Sequence, residues 1–208
     1  SYNFALCEDG GPDRLRVALH DDGAEPLGRA LENALRVIAA RLALAAGGFA
    51  MHGAGVLGEG RAELFAGPSG SGKTTAVELS GRPSLGDDYA LVARRDGAWV
   101  AAALPFDNSE RVAGDSPRGL FPLGGIWRLF KSGDLRVERP PATVAVPSLL
   151  GCAAFPWLFP EQGAQLLERC AAIVAQGRFA HLHFPVGGEL WTEILRCSPG
   201  PDLTPSKD

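Results

Sequence analysis

The sequence predicts an α/β fold: one domain in which a mixed, largely antiparallel central sheet is flanked by helices. Three observations predict it. Gly67-Pro68-Ser69-Gly70-Ser71-Gly72-Lys73-Thr74 fits the pattern G-x-x-x-x-G-K-[ST] at every fixed position, between strand-like Arg61 to Ala66 and helix-like Lys73 to Ser80. Hairpin signals, rather than repeated strand-helix-strand units, lie on both sides of that loop, at Gly58-Glu59-Gly60 and at Asp96-Gly97. With 208 residues, 46% of them hydrophobic, the chain is long enough for one real core and short for two. We therefore expect a single phosphate-loop domain over residues 1–197, with 198–208 a polar, proline-containing tail that need not be ordered.

Taken in order, Leu15, Val17 and Leu19 alternate with Arg14, Arg16 and Ala18, the period of a strand with one buried face, and Asp21-Asp22-Gly23 turns the chain. Between Gly28 and Ala46, Leu31, Leu35, Ile38, Leu42 and Ala45 recur at helical spacing, with Arg29, Glu32, Arg36 and Arg41 largely on other faces. Gly47-Gly48 ends that helix. Phe49 to Leu57 and Arg61 to Ala66 form the first hairpin; Tyr89 to Arg95 and Ala98 to Leu104 form the second. Pro105 to Gly125 reads as a long irregular loop, of the kind used as a lid or a binding loop or left disordered. Ile126 to Phe130 and Leu135 to Val137 return to strand texture. Pro140-Pro141 and Pro147 then punctuate a connector into the apolar stretch Leu149 to Phe159. Glu161 to Gln176 reads as a helix stopped by Gly177, Phe179 to Phe184 as a strand, and Trp191 to Leu195 as a last helical turn.

The net charge of −4 gives no basic footprint, so neither nucleic acid nor an anionic membrane is an expected partner. No apolar run reaches spanning length, and no basic segment followed by an apolar one opens the chain; a cytoplasmic protein is expected. The chain begins at Ser1 rather than Met, which leaves room for an upstream segment. Cys7, Cys152, Cys170 and Cys197 are scattered without metal-ligand spacing, as free thiols in a reducing compartment would be.

The chemistry centres on the loop. Its glycines turn successive N–H groups onto an anion, Lys73 reaches β- and γ-phosphates, and the Thr74 hydroxyl faces Mg²⁺. The residues assigned to the nucleotide are Gly67, Ser69, Gly70, Ser71, Gly72, Lys73, Thr74 and Thr75. A second acidic group is needed, and Asp87-Asp88 is the candidate, one helix downstream, where the chain is expected to return beside the strand that leads into the loop. Adjacent strand residues point to opposite sides, so one carboxylate suits the metal and the other a proton. His52 stands in an apolar strand between small residues; alone it reads more readily as a satisfied core residue than as a catalyst, although the flanking Gly53 and Gly55 leave room for a ligand to approach.

The run His52-Gly53-Ala54-Gly55-Val56, the hairpin, GPSGSGKTT and Gly86-Asp87-Asp88 resemble, in order and spacing, the core of the HPr kinase/phosphorylase family. GSGKTT with GDD also looks like ATP-dependent phosphoenolpyruvate carboxykinase, which shares that nucleotide core. The resemblance is close over residues 49–92 and loose beyond. It implies ATP and Mg²⁺ as cofactors, and a serine on a small protein or precursor peptide as acceptor. It further implies that one aspartate of the pair is the base and the other lies near the metal with Thr74, an order we take as Asp87 for the base and Asp88 for the metal, and that His52 tunes the carboxylates by a hydrogen bond; a homo-oligomer fits the family. Neither the family's separate N-terminal domain nor its glycine-rich signature after the aspartates is found in these 208 residues, so phosphorolysis and HPr itself as substrate are not expected.

Other residues carry weaker signals. Arg111, Arg118 and Arg128 are candidates for stabilising transition-state charge. His181 and His183 share a strand face that suits a metal, but lack a third ligand at a recognisable spacing. Trp99, Trp127, Trp157 and Trp191 read as core or edge packing. Two other functions fit the same sequence: a nucleotide-gated binding module without turnover, and a kinase of a small-molecule hydroxyl.

Overall fold

Alternating strands, glycine turns and two proline-led helix starts account for most of the architecture. The computed structural model describes residues 4–8, 15–20, 26–104, 117–158, 160–185 and 190–198. In chain order the elements are β1 (Phe4–Glu8), β2 (Leu15–Leu19), α1 (Leu27–Ala45), β3 (Phe49–Gly58), β4 (Arg61–Ala66), α2 (Lys73–Ser80), β5 (Ser84–Gly86), β6 (Tyr89–Arg95), β7 (Ala98–Ala102), β8 (Leu120–Lys131), β9 (Arg136–Glu138), α3 (Ala142–Leu150), α4 (Gly163–Ala175), β10 (Phe179–Phe184) and α5 (Leu190–Cys197). The turn at 21–23, most of the long loop, and the tail beyond Ser198 lie outside the described residues.

A central eight-stranded mixed sheet is flanked by the five helices, and β1 pairs β2 in a separate ribbon. Only the β4–β8 and β8–β10 pairings are parallel; the remaining pairings are antiparallel, as the hairpins require. Both hairpin turns carry two consecutive positive φ angles, at Glu59-Gly60 and Asp96-Gly97, the geometry that matches strand twist. Two long strands join the halves of the sheet. β3 pairs β6 through residues 49–52 and β4 through 53–58, while β8 meets β7 at 120–122 and β4 from 123 onward. The largest core cluster gathers Met51, Leu64, Val92, Trp99 and Ile126 beneath Leu149 of α3 and Ile173 of α4. On the opposite side Phe65, Trp127 and Leu182 pack against Val77 of α2 and Ile194 of α5.

Four sequence expectations need correction. The helix over 28–46 forms, but it buries Ala30, Ala34, Val37, Ala40 and Ala43, and leaves Leu31, Leu35 and Leu42 exposed. Small side chains let the helix approach Ala50 and Tyr89 of the sheet closely, and that fit outweighs leucine burial. The stretch 120–125 is strand rather than loop, for a reason given below. The connector around Pro147 is instead helix α3, started by Pro141 at its N-cap, with Pro147 inside it. Finally, the segment before Asp87 returns beside β3, not beside β4: Gly86 pairs with Gly55.

Glu63 explains β8. It is 1% exposed in the middle of the sheet, accepting hydrogen bonds from Trp127 Nε1 at 2.7 Å and Ser198 Oγ at 3.0 Å. Gly124 makes room for it, since a Cβ there would stand 1.9 Å from Glu63 Oε1. The glycines that made this stretch look irregular are thus the ones a buried carboxyl needs. Ser198, read as the first residue of the tail, belongs to this network.

Burial raises the Glu63 pKa to about 7, against the hydrogen bonds and Arg178, which pull it down. The folded chain therefore binds the proton more tightly than the unfolded one, so this group's contribution is complete below its free value and is lost as pH rises through about 7. Relative to Glu63→Gln, which keeps the shape and one acceptor, wild type should lose roughly 2–3 kcal/mol of stability between pH 5 and pH 8. Urea unfolding of both proteins at the two pH values measures this; parallel pH dependences would refute it.

Candidate functional site

The loop leaves β4 at the end of the sheet, where Ala66 is paired on one edge with Gly53 and on the other with Arg128. Gly67, Gly70 and Gly72 all have positive φ, and Gly72 is additionally pressed on Phe184, whose Cζ would lie 2.8 Å from a Cβ. Ser71 N–H bonds Pro68 O at 3.1 Å, and Lys73 Nζ donates to the carbonyls of Gly67 and Pro68 at 3.0 and 3.1 Å, which curls the segment around the ammonium. α2 starts at Lys73 without a side-chain cap, so its first N–H groups and the positive end of its dipole open on the loop.

Around the loop lies a cleft of about 890 Å³. It is lined by Gly67 to Gly70, Gly72 to Thr75, His52, Asp87 and Asp88, and on the far wall by Arg128, Lys131, Gly151, Cys152 and Phe184. All the residues assigned to nucleotide, metal and catalysis line it except Ser71. That side chain is buried, its hydroxyl is without a hydrogen-bond partner, and it sits under Gly67.

The two aspartates lie in the bend between β5 and β6, and they have different partners. Asp87 is 9% exposed, and its Oδ1 accepts from Thr74 Oγ1 at 3.2 Å. Asp88 lines the same cleft, with Oδ2 3.3 Å from Arg36 Nη1 of α1; Arg36 is also tied to Glu32 at 2.6 Å. Tyr89 continues this link to α1, donating its hydroxyl to Arg36 O at 2.6 Å. One hydroxyl and two carboxylates on one cleft are hard oxygen donors of the kind Mg²⁺ takes, so the residues fit that ion.

His52 is exposed on the cleft wall and in register with Tyr89. Its backbone N–H bonds Cys152 O at 2.9 Å, which ties the end of α3 to β3. Among the described residues its ring makes no hydrogen bond to either aspartate; Asp88 acts on it through charge. Partial burial lowers its pKa, with Lys73 and Arg36 acting in the same sense and Asp88 opposing them, so the ring is neutral at pH 7. Cys152 is held as a thiol by burial, despite Arg128 and Lys73.

Of the three candidate arginines, Arg128 lines the cleft, Arg118 is exposed elsewhere, and Arg111 lies outside the described residues. Arg128 Nη1 is anchored on Ser148, at 2.6 Å to the carbonyl and 2.9 Å to the hydroxyl. Sequence reasoning did not single out Arg36, Lys131 or Ser148. Arg36 and Asp88 are 52 positions apart, and no local pattern marks such a pair. The expectation that His181 and His183 have no third ligand also changes: β9 pairs β10 with Glu138 opposite His181, and a ligand atom from each of the three lies within 4.8 Å of the others. Cys152, Cys170 and Cys197 are free thiols, and no helix among the described residues is long and apolar enough to cross a membrane.

No family model matches the chain, and no curated protein matches its sequence. Among solved structures it is similar to the HPr(Ser) kinase/phosphatase from Coxiella burnetii, with a TM-score of 0.38 and 12% identity over 71% of this chain and 93% of that one. Figures of that size assign neither a family nor an activity.

Proposed function

We propose that this chain is an ATP-dependent, Mg²⁺-requiring phosphotransferase that moves a γ-phosphoryl group to a serine hydroxyl of a small protein or precursor peptide. The observation that carries the reading is the meeting of Lys73, Thr74 and Asp87 in one cleft, with Thr74 and Asp87 3.2 Å apart although α2 and β5 separate them in sequence. A glycine loop opening a helix, a lysine, a hydroxyl and carboxylates on one cleft are parts phosphoryl transfer uses.

In this reading the loop amides and Lys73 hold the β- and γ-phosphates and stabilise charge on the transferring group. Thr74 and Asp88 would hold Mg²⁺, which when bound neutralises phosphate charge. Asp87 accepts the proton of the attacking hydroxyl. Its contact with Thr74 fixes the carboxylate at the loop, whereas Asp88 is held by its ion pair with Arg36. His52 stands beside Asp88 on the cleft wall as a neutral ring, and Arg128, held by Ser148, presents positive charge from the far wall. Most of the catalytic effect would be positioning and electrostatics.

Two measurements test this. Lys73→Ala should weaken nucleotide binding at least about tenfold in a calorimetric titration, through loss of a charge-assisted phosphate contact of about 1.5–3 kcal/mol. Unchanged affinity would remove the loop from the mechanism. With labelled ATP and serine-bearing peptides, Asp87→Asn should lower transfer about 10²–10⁴-fold while still binding nucleotide, the range for loss of a general base. Asp88→Asn should instead raise the Mg²⁺ concentration needed for half-maximal rate. The opposite pattern would exchange the roles of the two aspartates, and binding without transfer to any acceptor would favour a nucleotide-gated module.

A further inference from the structure

We propose that Glu138, His181 and His183 form a binding site for a divalent transition metal of the Zn²⁺ class, separate from the phosphate-loop cleft. The backbone register makes the site: antiparallel pairing puts Glu138 of β9 opposite His181 of β10, and the two-residue period of the strand brings His183 onto the same face. Their ligand atoms lie within 4.8 Å of one another.

The detailed geometry fits a metal better than it fits an ion pair. His183 Nε2 is buried and forms no hydrogen bond, yet it stands 3.3 Å from Glu138 Oε2. Two ligands at Zn–N and Zn–O distances around a tetrahedral ion are themselves about 3.3 Å apart. His181 Nε2 lies 2.9 Å from Ser148 Oγ, and donation to that hydroxyl leaves Nδ1 for the ion, the outer-shell arrangement that orients a metal-bound imidazole. Phe130 packs against both rings, with centroids 4.9 Å from His181 and 5.1 Å from His183, and restricts their rotation. Two imidazoles and one carboxylate with a position left open are the donor set of zinc and related ions, whereas Mg²⁺ prefers all-oxygen surroundings.

The cations near the site are accounted for. Arg128 sits behind Ser148, and Arg136 lies 3.3 Å from His183 Nδ1 and 3.9 Å from Glu138. Arg136 is 57% exposed, so it can swing into water when the ion enters and His183 carries its proton on Nδ1. Removing it should strengthen metal binding, an effect that a purely structural His–Glu contact would not produce.

The test is a calorimetric titration of the chelator-washed full chain with ZnCl₂ in Mg²⁺-containing buffer, together with Co²⁺ absorption spectroscopy. Expected are one Zn²⁺ per chain, intense visible Co²⁺ bands of a four-coordinate site, at least about tenfold weaker binding for Glu138→Gln and His183→Ala, and tighter binding for Arg136→Gln. Glu138 is exposed, so its variant tests the site even if His183→Ala fails to fold. Absence of Zn²⁺ binding, or equal binding by wild type and a folded Glu138→Gln variant, overturns the proposal.

Discussion

The cleft depends on how β4 is clamped. β3 holds one edge antiparallel and β8 the other edge parallel, and Ala62, Leu64, Phe65 and Ala66 are at most 1% exposed between them. A strand fixed on both edges and both faces has no freedom in where it ends. Gly67 therefore starts the loop at a set position, and Phe184 of β10, pressed on Gly72, sets where α2 begins. The same clamp delivers the far wall, because the β8 residue paired with Ala66 is Arg128. Loop and opposing cation are two consequences of one strand register.

The charges around that strand end are arranged so that few are left uncompensated. Lys73 lies on loop carbonyls, Arg128 on Ser148, and Asp88 on Arg36. Asp87 differs, meeting the neutral Thr74 hydroxyl. This contrast in partners distinguishes the two aspartates. It also explains how α1 takes part: through Arg36 and Tyr89 the helix steadies Asp88 from outside the sheet.

What was legible in the sequence was what is encoded locally. The hairpin turns, the loop and its helix, the helix over 163–175 and the strand over 179–184 are each specified by residues a few positions apart, and each stands where its pattern puts it. What was not legible depends on partners far along the chain. The buried face of α1 is set by the close approach of alanines to Ala50 and Tyr89, and leucine spacing carries no trace of that. Gly124 and Gly125 signal a loop until Glu63 is known to be buried across from them. Asp87 and Asp88 were recognisable as a pair, but Arg36, which distinguishes them, lies 52 residues from Asp88.

Polar residues in a sheet covered on both faces therefore deserve a different reading from polar residues in loops. A buried strand position costs free energy unless its polar atoms find partners, so each such residue implies something opposite it. Glu63 implied Trp127, Ser198 and two glycines; His181 implied Ser148 and Glu138. In both cases the partner comes from a neighbouring strand or from an element packed over the sheet, and the strand register decides which one. His183 is the position where this accounting does not close: its Nε2 is buried beside a carboxylate without a hydrogen bond. An orphaned ring nitrogen aimed at a carboxylate has two physical remedies, a proton or a metal ion. A metal ion there, with Arg136 displaced into water, satisfies both histidines and the carboxylate together.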